Sequence, residues 1–111
     1  MRHVLLVFFS LCFFAQSFSQ SIAKQWNEEV LDAIRNDYAR PTVHARNLYH
    51  SSILMYDIWA SFNAQSETFF LGKTINGYNC NFNGFSSTTD DSTAIHQAIS
   101  FAMYRFISHR Y

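Results

Sequence analysis

Apolar residues recur along this chain in three windows of helical spacing, the first two separated by a proline and the last two by an aromatic-rich stretch. In the first window Trp26, Val30, Ala33, Ile34 and Tyr38 fall at steps of three and four, the period of one helix face. Ser21 stands where an N-cap belongs. Pro41 is expected to stop the helix, because a proline pushes the residue before it out of the α region. The predicted span is 22–38. Glu28 and Glu29 lie toward its start and Arg35 toward its end, the sense the helix dipole favours.

Thr42 is the predicted N-cap of a second helix reaching about Phe62. Ala45, Leu48, Ser52, Met55, Trp59 and Phe62 form one stripe, which Leu54 and Ile58 widen, while Val43 and Ile53 sit near the opposite side. A helix apolar nearly all round is expected to be buried on several sides. Its only polar line is Arg46, His50 and Asp57, at steps of four and seven. A third helix is predicted from near Ser92, after Asp90-Asp91. Ile95, Ala98, Ile99, Ala102 and Phe106 make one face, with Met103 and Ile107 on another. No glycine, proline or polar cluster ends it before Tyr111, so it is expected to be cut there.

Between the second and third helices, residues 65–91 carry Gly72, Gly77 and Gly84 among Phe69, Phe70, Tyr78, Phe82 and Phe85. A structureless loop of this length is uncommon in a compact domain. Two readings stay open: a short hairpin pairing residues 68–71 with 74–75 around Gly72-Lys73, or an extended arm whose rings dock on a surface supplied by further sequence.

The chain opens with Met1-Arg2-His3, a positive n-region, then an apolar run from Val4 to Phe14, the length a signal peptide uses. Ser17 and Ser19 occupy the −3 and −1 positions of a cleavage before Gln20. Residues 1–19 are therefore expected to be a leader, and the product secreted or periplasmic. Leu11 before Cys12 is too large for a lipoprotein site. The apolar run also falls short of the roughly 20 residues of a membrane span. Cleavage leaves one small domain, residues 20–111, whose eight acidic side chains slightly outnumber its basic ones once Arg2 is gone. That balance offers no basic face for nucleic acid. It also leaves a single cysteine, Cys80, expected either to be a buried or idle thiol or to pair with a cysteine beyond residue 111.

Candidate chemistry is thin. His44 and His50 are six apart, whereas a helical metal pair wants four, and His96 and His109 are also unspaced for a metal. No glycine-rich phosphate loop or nucleophile elbow occurs. Asp90-Asp91 is expected to serve as helix N-terminal charge, and Trp26, Tyr56 and Trp59 as core rings. Arg46, His50 and Asp57 together would suit an acid–base or anion site. The favoured reading is structural: Arg46 and Asp57, about 16 Å apart along the axis, each find a partner on a neighbouring helix, with His50 hydrogen-bonded between them. No residue is assigned as catalytic, cofactor-binding or metal-binding.

One resemblance adds to this. Trp26-Asn27-Glu28, Ala33-Ile34-Arg35, Pro41-Thr42-Val43-x-Ala45-Arg46 and Met55-Tyr56-Asp57-x-Trp59-Ala60 resemble the N-terminal helices of secreted vanadium-dependent haloperoxidase-like proteins. These belong to the superfamily that includes type 2 phosphatidic acid phosphatases. Ala94-Ile95, Ala98 and Ala102-Met103-Tyr104 are similar to the helix that follows, so the likeness covers roughly residues 22–62 and 92–111. It implies an all-α fold, three helices of a larger bundle whose remainder lies C-terminal to residue 111. It implies vanadate or phosphate held by that remainder, through Lys-x6-Arg-Pro, Pro-Ser-Gly-His and Ser-Arg-x5-His. Arg40-Pro41 has the dipeptide of the first motif, but Ala33 stands where its lysine belongs, and the other two are missing from this sequence. The expectation is a structural portion without cofactor and inactive by itself. The alternative is a small secreted helical module that binds a partner through the aromatic 65–91 segment.

Overall fold

A computed structural model describes residues 21–38 and 40–111. The leader expected over residues 1–19, with Cys12, lies outside the described residues. Three helices and one short antiparallel hairpin follow in the order α1 (Ile22–Arg35), α2 (Pro41–Ser61), β1 (Thr74–Ile75), β2 (Tyr78–Asn79) and α3 (Asp91–Arg110). The chain is mainly helical but not purely all-α.

α1 begins as its sequence directs, with the Ser21 hydroxyl accepting the Lys24 N–H at 3.2 Å. It ends at Arg35, before Pro41 has any influence. The Asn36 side chain donates to the Asp32 carbonyl at 2.9 Å, and the Asp37 carboxylate accepts the Tyr38 N–H at 2.8 Å. Short polar side chains offer the backbone an alternative to the next helical turn, so Tyr38 leaves the helix and stands exposed. The Tyr38 amide, with the Arg40 guanidinium beside it, holds the Asp37 carboxyl below its ordinary value. α2 starts two residues earlier than expected. Pro41 is its first residue and Arg40, non-helical at φ −126°, is the cap without a side-chain bond, so Thr42 lies inside the first turn. A proline fits that place because its missing N–H would have no helical partner.

α3 runs antiparallel to α2 and parallel to α1. Asn47 donates to the Tyr111 hydroxyl at 3.2 Å, and the Trp26 indole donates to the Ser100 hydroxyl at 3.1 Å. The core is small: Val30, Met55, Ile99 and Met103, with Trp26, Ile34, Leu54, Ile58, Ile95 and Ile107 packed around it. On α3 the inward line unites Ile95 and Ile99 with Met103 and Ile107, which periodicity had placed on separate faces. On α2 the inward line is Asn47, Ser51 and Met55, offset from the expected stripe. Leu48, Ser52, Tyr56 and Trp59 remain open, Tyr56 at 45% and Trp59 at 43% exposure. A helix apolar on every side does not select its buried face by period; its neighbours select it.

The hairpin turns at Asn76-Gly77, pairing Thr74 with Asn79 and Ile75 with Tyr78. Asn76 at φ 52° and Gly77 at φ 82° match a type I′ turn, whose twist suits paired strands. Gly72-Lys73 is therefore not the turn, and residues 68–71 are not a strand. Instead the ladder is prolonged by the Cys80 N–H on the Lys73 carbonyl (3.0 Å) and the Gly72 N–H on the Cys80 carbonyl (2.8 Å). Residues 81–90 follow without helix or strand, with the Phe85 ring lying 4.1 Å from that of Phe62 at the end of α2.

Candidate functional site

Asp57 is the most constrained polar group of the described chain. It lies on α2, only 3% exposed, and its carboxylate receives three consecutive backbone amides from the returning loop. The Phe69 N–H donates to Oδ1, and the Phe70 and Leu71 N–H groups donate to Oδ2 at 2.8 and 3.0 Å. Burial of a carboxylate is costly unless donors surround it. Here the loop backbone supplies them, and charge-assisted bonds of this kind are the stronger class. The partner is thus a loop and not a neighbouring helix. A carboxylate so occupied anchors the loop; it is not placed to take a proton from a substrate.

The rest of the polar line separates. Arg46 is exposed, with no ion pair among the described residues. His50 is half-buried, and its Nδ1 accepts from the Arg110 guanidinium at 3.2 Å. Arginine only donates, so the imidazole is neutral with its proton on Nε2. Burial, then the positive charges of Arg110 and Arg46, lower the His50 pKa. The expectation that His50 bridges Arg46 and Asp57 is therefore corrected: its partner comes from α3.

These groups border a groove of about 680 Å³ between α2, the hairpin loop and α3. Ile53, Leu54, Phe70, Leu71, Ala102 and Phe106 supply its apolar walls, and Cys80 also lines it, half-buried and free. The Arg110 guanidinium sits 5.6 Å from the centre of the Phe106 ring, within cation–π range. The sequence singles out neither Arg110 nor Cys80 for this place. Arg110 reads as a helix-end charge sixty positions from His50, and periodicity carries no signal over such a separation.

The remaining candidates are dispersed. His44 donates from Nε2 to the Tyr38 carbonyl at 2.9 Å and lies against the Tyr111 ring, while His96 and His109 are exposed on α3. Among the described residues no three His, Cys, Asp or Glu side chains come together as metal ligands. Arg40 pairs with Asp37 at 3.1 Å. Asp90 caps α3, accepting the Thr93 N–H at 2.9 Å, and that bond lowers its pKa. Trp26 packs against the core, but Tyr56 and Trp59, expected there too, lie side by side on the open face with ring centres 6.0 Å apart. No described helix is long and apolar enough to cross a membrane. Comparison of the chain with family models, with curated proteins and with solved structures finds no match.

Proposed function

We propose that this is an exported chain serving as the structural N-terminal portion of a haloperoxidase- or phosphatase-like protein, a helical brace against which the rest of the bundle packs. The observation that carries the bracing role is the open face of α2. Leu48, Tyr56 and Trp59 stand exposed there, while the buried apolar set of the described chain is Val30, Met55, Ala60, Ile99 and Met103. Contiguous apolar surface of more than a few hundred Å² marks an interface or an aggregation site. The family part of the reading is supported by the motif resemblance over residues 22–62 and 92–111. Vanadate or phosphate chemistry would reside in the remainder of the bundle, and this chain contributes only support.

Two measurements test the reading. The purified 20–111 chain should self-associate or bind a hydrophobic dye, and Tyr56→Ser with Trp59→Ser should suppress both; a monomeric chain with a sharp melt and no dye binding overturns the brace. The coding frame beyond Tyr111 should carry the three oxyanion motifs, and a frame without them overturns the family. The chain alone should show no halogenation with vanadate and no phosphate-ester hydrolysis above the blank.

A secreted binding module using the 65–91 segment is the second reading, favoured by exposed Phe69, Tyr78 and Phe85. Against it, the Phe85 ring already rests on Phe62 of its own chain, so part of the arm is docked internally.

A further inference from the structure

The groove between α2, the hairpin loop and α3 combines apolar walls with arginine charge at one end. Its walls are hydrocarbon and aromatic along Ile53, Leu54, Phe70 and Ala102. Its volume of about 680 Å³ lies within the range of small-molecule sites. At the His50 end stand Arg110, bordering the groove, and Arg46, one helical turn from His50. Neither arginine meets a carboxylate among the described residues. The one acid lining the groove is Asp57, whose oxygens are occupied by the Phe69, Phe70 and Leu71 amides. The arginines at that end are therefore not paired with an acid among the described residues, and the apolar length is open beside them.

We infer that this groove binds a fatty acid, its chain lying along the Leu54–Phe70–Phe106 walls and its carboxylate held by Arg110 with Arg46 nearby. The guanidinium suits a planar carboxylate because two of its N–H groups form a fork of matching spacing. Arg110 is prearranged for this, braced by His50 Nδ1 on one side and by the Phe106 ring on another. The site is separate from the open Leu48–Trp59 face, which lies on the other side of α2, and the inference does not rest on the bracing role.

Cys80 and His50 report on the two halves of the site. In the full chain, laurate below its micelle concentration should slow alkylation of Cys80 by a maleimide, because the chain fills the groove the thiol lines. Dodecanol, with the same tail and no charge, should need about tenfold more to give equal protection, the worth of one charge-assisted bond. Laurate and not dodecanol should raise the His50 pKa in an NMR titration, since its anion offsets Arg46 and Arg110. The other titratable groups facing the groove are Asp57, Tyr78 and Cys80. Arg110→Gln should erase the laurate preference and leave protection by dodecanol. Trp59→Ser, on the open face, should change neither. Equal protection by laurate and dodecanol would make the groove merely apolar and overturn the proposal. So would unaltered Cys80 alkylation with both ligands, a result that requires no variant to fold.

Discussion

The two flanks of α2 carry similar apolar content and have opposite fates. One flank, with Ile53 and Asp57, faces the loop that returns from residue 68; the other, with Leu48 and Trp59, is open, touched by the loop only where the Tyr56 hydroxyl donates to the Glu67 carbonyl at 3.0 Å. What distinguishes them is a carboxylate. Hydrophobic attraction is non-directional and brings no particular segment to a particular place. Three amides converging on Asp57 do, and the rings of the loop settle where those bonds hold them. The lesson is that a single buried acid can decide which side of an all-round apolar helix is covered by its own chain and which is left for something else.

The strongest way to break this contrast is Asp57→Ala. Removing the acceptor of three amides should destabilise the chain by about 4 kcal/mol, the scale of breaking a buried charged group's bonds. Hydrogen exchange should show the Phe69–Leu71 amides losing protection; retained protection would mean that the rings, not the carboxylate, hold the loop. Met103→Ala comes next. It deletes a fully buried side chain where α1 and α3 meet, at a cost of about 3 kcal/mol in a denaturant melt, and should leave the Phe69–Leu71 protection pattern intact. Gly77→Ala places a Cβ at φ 82° with nothing within 4 Å of it, so only backbone strain of about 1 kcal/mol is expected.

Acidification from neutral pH should act first on the covered flank, before it reaches the Asp37 and Asp90 carboxylates, whose pKa values are also lowered. The folded pKa of His50 lies below its ordinary 6.5, so the unfolded chain binds the proton more readily. Stability is fully present above pH 6.5 and falls as the pH drops toward the folded value. Replacing the imidazole by Gln should flatten the melting-temperature profile across that window; an unchanged slope would assign the pH effect to other groups. The smallest effect is expected for Trp59→Ser on the open flank, within about 0.5 kcal/mol in the chain alone. Its consequence should be seen in self-association, which decreases.

Much of this architecture is legible in the sequence, unevenly. Ser21 as a cap and the three helical windows follow from local rules, because the partners lie within four residues. The end of α1 is less legible: Asn36 and Asp37 compete with the helix through their own side chains, and Pro41 diverts attention from them. Asn76-Gly77 is a strong hairpin signal, and reading Gly72-Lys73 as the turn keeps the strand at 74–75 but gives it the wrong partner, 68–71 in place of Tyr78–Asn79. For α2, its burial is legible but its buried face is not, since period carries no choice when every side is apolar. That Asp57 needs a partner also follows from its surroundings. That the partner is three loop amides, and that Arg110 reaches His50, depends on tertiary contacts that no spacing encodes.

The Asp57 bonds also set an order of assembly. They join residues 12 to 14 apart, whereas the Trp26–Ser100 bond that ties α1 to α3 joins residues 74 apart. Closing the longer span costs roughly 1.6 kcal/mol more chain entropy, by the logarithmic dependence on length. Local contacts form sooner on this account, so α2 and its loop should make up the early unit and α1 the last element to dock. In native-state exchange α1 should then open through a partial unfolding that leaves the Phe69–Leu71 amides protected. A chain that acquires its first helix last would present α3 bare for part of its folding time, at the surface where Trp26 and Val30 later seal the core.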